Sequence, residues 1–458
     1  MAQAASPGLA GLIAAAAGGG GAGGERRAVS DSARNSWSYD RLVAEAAAVC
    51  ARLRAHRPSG VLLLQARQSA PSVAALLGGW AAGYQVILSN GSGLADTFVP
   101  EAVADDAGLK LVQHGAPAVH PAPGLLLSTS GTTGSSKLVR LSLDAVIENA
   151  RQIVEALRLN ESDVGLVHLP LQYSYGLSVL TSHLEAGAAA HLIDGAFTQP
   201  EFWTQVAEAG ATHLPGVPFH YAFLARGALK SLVPPCVTTF TQAGGALAVP
   251  VRQRIHEAVC ARGGRFYVMY GQTEAAPRIS TLDHDDFPAY PESVGRALRG
   301  GHIHILDEEG GELSPGEEGA VHYSGPNLMA GYAVSRSDLI EPDTPLPSIA
   351  TGDRGVVDES GILTLKGRNQ GFAKIGGLRL SLDDLAAKLA AHGDVALLPG
   401  DEKIHVFHAG PEDLKPPLRD LAIGYALPAS SFQIHAIESI PRHASGKIDY
   451  QQLKVLIG

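Results

Sequence analysis

Leu125-Leu126-Leu127-Ser128-Thr129-Ser130-Gly131-Thr132-Thr133-Gly134-Ser135-Ser136-Lys137 is the stretch on which the reading of the chain turns. An apolar, strand-like run stops abruptly in residues that are only Ser, Thr, Gly and Lys, and Leu138 to Leu141 returns to apolar alternation. That pattern predicts a loop held between two ordered elements. Glycine lets backbone N–H groups approach an anion closely, hydroxyls donate to phosphate oxygens, and lysine adds charge. A polyphosphate is the natural guest. The spacing Gly131-x-x-Gly134-x-x-Lys137 is not the G-x-x-x-x-G-K of P-loop nucleotide hydrolases, which argues against a kinase or GTPase.

Outward from this loop, 458 residues suggest one large multi-lobed domain and a smaller one. With 45% hydrophobic and 17% charged residues the chain is globular. A formal charge of −10 disfavours nucleic acid and anionic membranes as partners, and an anionic substrate then needs a local cationic pocket. The three cysteines, Cys50, Cys236 and Cys260, lie far apart with no C-x-x-C, which excludes a disulfide framework and a zinc ribbon. They suit a reducing compartment, and no Lys or Arg precedes Arg26, so the charged start of a secretory signal is missing. The expectation is a cytoplasmic protein without a membrane span, with residues 1–36 a flexible tail. Gly18-x-Gly20-x-x-Gly23 matches a dinucleotide fingerprint only because the stretch is Gly-rich, and no strand precedes it.

From Trp37 the chain alternates helical and strand-like periods. Helices are expected over Trp37 to Ala55, opened by Ser38, over Ser72 to Ala82 and over Leu143 to Leu157, with strands at Val61 to Leu64, Gln85 to Leu88 and Val164 to Leu169. Asn90 to Pro123 reads as loop-rich. This alternation is the signature of α/β layers. Three strand exits are polar or glycine-rich: Pro170 to Leu177, Gln242-Ala243-Gly244-Gly245-Ala246, and Tyr270-Gly271-Gln272-Thr273-Glu274. Ligands in open α/β sheets sit at such C-terminal strand ends, so one shared pocket is expected. Short β-like runs with turn punctuation begin at Gly295, Gly367 to Gly371 reads as a linker, and a small α+β unit follows. The expected fold class is α/β: a large multi-subdomain N-terminal domain with layered sheets and a β-rich subdomain (37–366), and a small mobile α+β C-terminal domain (367–458).

Together these residues resemble the adenylate-forming enzymes, a superfamily of acyl-CoA synthetases, aryl-CoA ligases and amino-acid adenylation domains. Ser128 to Lys137 is similar to the family's phosphate loop and Tyr270 to Glu274 to its Y-G-x-T-E. Thr351-Gly352-Asp353 and Gly367-Arg368 resemble its ribose and hinge motifs, Lys374 to Gly377 its thiol-tunnel loop, and Pro441 to Lys447 its P-R-x-x-S-G-K.

The resemblance implies roles. ATP would be bound by Ser130, Gly131, Thr132, Thr133, Gly134 and Lys137 at its phosphates, and by Gly244, Gly245, Tyr270 and Gly271 at its adenine. Asp353 would accept from the ribose hydroxyls, with Arg368 assisting. Glu274 would ligate Mg²⁺ and Thr273 would touch phosphate. Lys447 would lie between the acid's carboxylate and the α-phosphate, where two anions must meet. Gln370 stands at the hinge, where the family usually carries Asp or Lys, and Gly376 and Gly377 would line the tunnel for a pantetheine thiol.

For the acid, the implied contacts are Tyr173, Tyr175, Gly176, His220, Gln242, Ala243, Gly244 and Ala275. Amino-acid adenylation domains place an Asp in the first of these stretches, and Leu169 to Leu180 holds none, which favours a plain carboxylic acid. Tyr173 replaces a histidine common in acyl-CoA synthetases. Tyr173 and Tyr175 either shape an aromatic-lined pocket or simply pack the core. Arg278 or His220 could meet a ring hydroxyl, and His220 after Pro218 could instead be a structural helix-start residue. The short Asn90 to Pro123 segment suggests a trimmed surface suited to a partner. The resulting expectation is an ATP- and Mg²⁺-dependent, AMP-forming ligase. It would join an aryl or medium-chain acid to the thiol of CoA or of the phosphopantetheine on an acyl carrier protein. The alternatives are an amino-acid-activating domain and a non-catalytic homologue that holds acyl-adenylate.

Overall fold

The computed structural model describes residues 8–18, 24–88, 93–128, 137–368, 372–375, 378–400, 403–424, 427–443, 446 and 448–457. The continuous apolar run Val61–Leu64 is buried on both faces and pairs in parallel with Gln85–Leu88, as an all-apolar strand without alternation should. It belongs to a seven-stranded sheet ordered Gly331–Ala333, Leu138–Ser142, Gly124–Ser128, Gln85–Leu88, Val61–Leu64, Ala102–Asp105, Gly108–Leu111. Gly124–Ser128 and Leu138–Ser142 are antiparallel neighbours with Ser128 opposite Leu138. The Ser/Thr/Gly segment between them therefore joins a β-hairpin and does not lead from a strand into a helix.

A nine-stranded sheet carries the expected strand exits. Its central strands Arg265–Gly271, Thr239–Gln242, His213–Gly216, Val164–Val167, Ala189–Leu192 and Arg27–Asp31 are parallel, and antiparallel strands flank them at both ends. The helices between follow local rules. Ser38 caps Tyr39–His56 by accepting from the Arg41 N–H, and Ser142 does the same for Leu143–Leu157 through Ala145. A four-stranded antiparallel sheet, His302–Leu306, Glu318–Ser324, Ile349–Val357 and Leu363–Arg368, forms the expected β-rich subdomain. The C-terminal unit combines a three-stranded sheet, Asp394–Pro399, Ile404–Ala409 and Phe432–Ala436, with helices Leu382–Leu389 and Lys415–Gly424 around one apolar cluster and Tyr450–Val455 against a second. Among the described residues no helix is long and apolar enough to cross a membrane.

Two expectations need correction. The supposed tail 1–36 is structured wherever it is described. Gly8–Ala16 is a helix whose Leu9, Leu12 and Ile13 join the main core, and Arg27–Asp31 pairs in parallel with Ala189–Leu192. The physical reason is the i, i+3, i+4 spacing of those three apolar residues, which the Ala/Gly background conceals. The Leu9 N–H also donates to Glu185 Oε2 at 2.6 Å, anchoring the helix start.

The second correction concerns 90–123, which is not simply a loop. It holds a short helix, Leu94–Phe98, and the strands Ala102–Asp105 and Gly108–Leu111. These are organised by Glu101, which is fully buried. Its carboxylate takes both Nη groups of Arg336, at 2.6 and 3.3 Å, and the Val61 N–H at 2.7 Å. Arg336 additionally donates to the carbonyls of Phe98, Val99 and Pro117. This single cluster ties the segment after Gly331–Ala333 to the far side of the seven-stranded sheet.

Candidate active site

The three polar strand exits meet. After Thr239–Gln242 the chain turns through Gly244, whose φ of +81° is left-handed, and a Cβ there would stand 2.2 Å from the Tyr173 hydroxyl. Only glycine fits both the conformation and the contact. Gln242 Nε2 closes the turn on the Gly245 carbonyl at 2.9 Å, while its Oε1 is buried without a hydrogen-bond partner. Tyr173 comes from the exit of Val164–Val167, immediately before the helix Ser174–Glu185. Gly176 in that helix lies against the Leu169 and Pro170 carbonyls, each 2.4 Å from where a Cβ would be. Ser174 Oγ meets Thr273 Oγ1 at 3.1 Å, joining this exit to that of Arg265–Gly271.

From that last strand, the Tyr270 hydroxyl donates to Asp353 Oδ2 at 2.5 Å, linking the large sheet to the β-rich subdomain. Asp353 is 7% exposed and stands opposite Arg368 in the strand register. The Asp353 N–H donates to Thr351 Oγ1, which orients the carboxylate-bearing residue. Gly271 packs so tightly that a Cβ would meet the Pro277 carbonyl oxygen at 1.8 Å.

At the phosphate-loop end, Lys137 Nζ lies 3.9 Å from the centre of the Tyr332 ring, and the Tyr332 hydroxyl donates to Glu274 Oε1 at 2.9 Å. Burial and the neighbouring carboxylate push the Tyr332 phenol up to about 12, so it keeps its proton and donates at neutral pH. Tyr332 thus touches an ammonium with its ring and a carboxylate with its hydroxyl. This residue was missed by sequence reasoning. It reaches Lys137 only because Gly331–Ala333 pairs with Leu138–Ser142, placing Tyr332 opposite Val139, and no local pattern announces a pairing across so many residues. Losing a hydrogen bond to a charged group costs about 1.5–3 kcal/mol. If Glu274 ligates Mg²⁺ as the resemblance implies, Tyr332→Phe should raise the KM for MgATP roughly 10-fold or more and leave that for the acid unchanged; an initial-rate comparison of the two KM values checks it.

The C-terminal unit reaches the same place. Arg442 Nη1 donates to the Gly446 carbonyl at 3.1 Å, and Gly446 turns the chain with a left-handed φ of +78°. A Cβ on Gly446 would come within 2.8 Å of Val217 Cγ2, and Val217 in turn lies beside Gly244. The Arg442 guanidinium sits 5.9 Å from the centre of the Phe219 ring. The neighbour of Lys447 is therefore seated at the Gly244 turn.

Two residues expected at the acid site lie in the core. Tyr175 is 2% exposed, and its hydroxyl donates to the Thr241 carbonyl at 2.7 Å and accepts from the Gly216 N–H, so of its two readings packing is the one realised. His220 stacks on Phe197 with ring centres 4.2 Å apart and its Nδ1 accepts from the Val217 N–H, so it is the helix-start residue. Burial brings its imidazole down to about 4, which keeps it neutral at physiological pH. The turn that spans Val217 to His220 was readable from Pro218, but the aromatic cluster behind it was not. Ser130, Gly131, Thr132, Thr133, Gly134, Gln370, Gly376, Gly377 and Lys447 lie outside the described residues, as does the side chain of Arg368. A polar cavity of about 770 Å³ borders Pro170 and Gln172 but is lined by none of Gly244, Thr273 and Glu274.

Residues 95–333, more than half of the chain, match the family described as AMP-binding enzyme, and the chain belongs to this family of adenylate-forming proteins. It is 31% identical over 316 residues to oxalate–CoA ligase of Arabidopsis thaliana, covering 68% of this chain and 59% of that protein. It is 26% identical over 367 residues to 4-coumarate–CoA ligase of Pinus taeda, covering 73% and 66%. The chain thus spans about half to two thirds of the length of curated relatives it matches, from 52% to 66% of the first three. Its fold is that of o-succinylbenzoate CoA synthetase from Bacillus subtilis in complex with an acyl-adenylate intermediate, with TM-score 0.74, 21% identity, and 94% and 95% of the two chains covered.

Proposed function

We propose that this protein activates a carboxylic acid with ATP and passes the acyl group to a pantetheine thiol. It would do so as an AMP-forming acid–thiol ligase whose acid is aryl or medium-chain. What supports the reading most is a single convergence: Gly244, Tyr173, Thr273 and the Gly446 turn of the C-terminal unit surround one point. In the first half-reaction a carboxylate oxygen attacks the α-phosphorus and pyrophosphate leaves. Lys447, carried next to Gly446, would offset the charge where the two anions meet. Gly244 and Gly245 would let adenine and the acyl group lie against bare backbone. Asp353, pre-set by Tyr270, would accept from the ribose hydroxyls, assisted by Arg368. Ser130 to Gly134 and Lys137 would hold the leaving phosphates.

The donor set suits Mg²⁺: Glu274 offers a hard carboxylate, and Tyr332 occupies one of its oxygens by donation, which fixes the other. When bound there, the ion would neutralise phosphate charge. In the second half-reaction residues 367–458 would swing about Gln370 as a lid on the 37–366 domain. Gly376 and Gly377 would then line the path of the thiol, which attacks the acyl carbon as AMP leaves. The relatives named as CoA ligases make CoA the first acceptor to try, ahead of a carrier protein. Mass spectrometry of reactions with one active acid, ATP, Mg²⁺ and either CoA or phosphopantetheinylated carrier protein tests this. Acyl-CoA with stoichiometric AMP is expected, and AMP release with neither thioester would contradict the ligase reading.

A further inference from the structure

Three arginines are buried among the described residues: Arg252, Arg278 and Arg336. Arg336 faces Glu101, and Arg252 donates to the carbonyls of Pro291, Glu292 and Ser293. Arg278, 3% exposed, has no such provision. One Nη donates to Ser178 Oγ at 3.1 Å, the guanidinium lies 4.8 Å from the centre of the Tyr175 ring, and Nε, like that of Arg252, is buried with no hydrogen-bond partner; unlike Arg252, it has no carbonyl acceptors among the described residues. Among the described residues no carboxylate pairs with it; the ionisable groups acting on it are the phenols of Tyr175 and Tyr173. A guanidinium does not shed its charge in a protein, and a buried unpaired charge is costly, so a cation kept in this state calls for an anion from outside the chain.

Its place in the fold says which anion. Arg278 directly follows the turn that carries Thr273 and Glu274, and its backbone is clamped by Asn149 and Asn327. Ser178, its hydrogen-bond partner, is one helical turn beyond Ser174, which touches Thr273. Tyr173, on which the guanidinium charge acts, stands over Gly244. The cation therefore sits at the inner end of the stretch that would receive the acid. We infer that Arg278 is the counter-charge for a second anionic group on the substrate, so the acids activated are dianions such as dicarboxylates or carboxylate-sulfonates. The reacting carboxylate faces the Gly446 turn and the second anion meets the guanidinium. A neutral ring hydroxyl would leave the buried charge uncompensated, whereas a carboxylate or sulfonate presents paired oxygens that match the guanidinium fork. This rests on the acid-activating reading of the site.

The test is pyrophosphate exchange with matched pairs: straight-chain dicarboxylic acids and benzenedicarboxylic acids, each beside its monoamide, on the wild-type protein, Arg278→Met and Arg278→Lys. Wild type should favour the dianion over its monoamide by roughly 10²- to 10³-fold in kcat/KM, the scale of a lost buried charge contact. Arg278→Met should remove or invert that ratio at unchanged KM for ATP, and Arg278→Lys should restore part of it. Monoamides used as well as dianions by the wild type, or a preference that survives in Arg278→Met, would overturn the inference. Should Arg278→Met fail to fold, the wild-type ratio decides alone. Exchange with monoanionic acids only removes this inference and leaves the acid-activating reading standing, whereas no exchange with any acid removes both.

Discussion

Lys447→Ala is expected to lower acid-dependent pyrophosphate exchange by roughly 10²- to 10³-fold, the loss of about 3 to 4 kcal/mol typical of one charge-stabilising contact. It should leave thioester formation from supplied acyl-adenylate near the wild-type rate. The expectation rests on where its neighbour sits. Gly446 abuts Val217, which lies beside the Gly244 turn, and Arg442 holds the turn from within. Gly446→Val tests the same geometry without touching the lysine. A branched side chain at φ +78° and 2.8 Å from Val217 Cγ2 must push the lid loop away, so exchange should fall while the supplied-adenylate reaction persists. Equal loss of both half-reactions in either variant would contradict a lid that serves one step in this seating and the other after moving. Gly377→Trp should show the opposite pattern, because a bulky side chain would obstruct the thiol.

The second large effect is on stability. Glu101→Ala strands Arg336 in the core, and breaking a buried pair by removing one partner costs about 3–5 kcal/mol. Urea unfolding should show this as a lower midpoint with an unchanged slope. Because Arg336 anchors the segment that follows Tyr332, the variant should also raise the KM for MgATP, as Tyr332→Phe does. A folded Glu101→Ala protein with wild-type stability would show that the carbonyls of Phe98, Val99 and Pro117 suffice to hold Arg336.

Much of the fold follows from local pattern. The all-apolar Val61 to Leu64, the Ser38 and Ser142 caps and the Gly/polar strand exits each carry their own signal, and each leads to the element or junction expected. What was not legible depends on pairing across long separations. Tyr332 meets Lys137 and Glu274 through a strand pairing with no local mark, and Glu101 and Arg336 are ordinary surface-type residues until the fold brings them together. The helix Gly8–Ala16 was hidden by composition, since three large apolar residues suffice to fix a segment that otherwise reads as Ala/Gly filler. Tyr175 and His220 illustrate the converse: an aromatic near a strand exit carries no sign of which way it points, and both point into the core.

Acid-dependent pyrophosphate exchange by the purified wild-type protein, with ATP and Mg²⁺, is the measurement closest to the proposed chemistry. Label should pass from pyrophosphate into ATP only when a suitable carboxylic acid is present, because formation of the acyl-adenylate is reversible. No acid-dependent exchange across aryl, fatty, amino and dicarboxylic acids would contradict it.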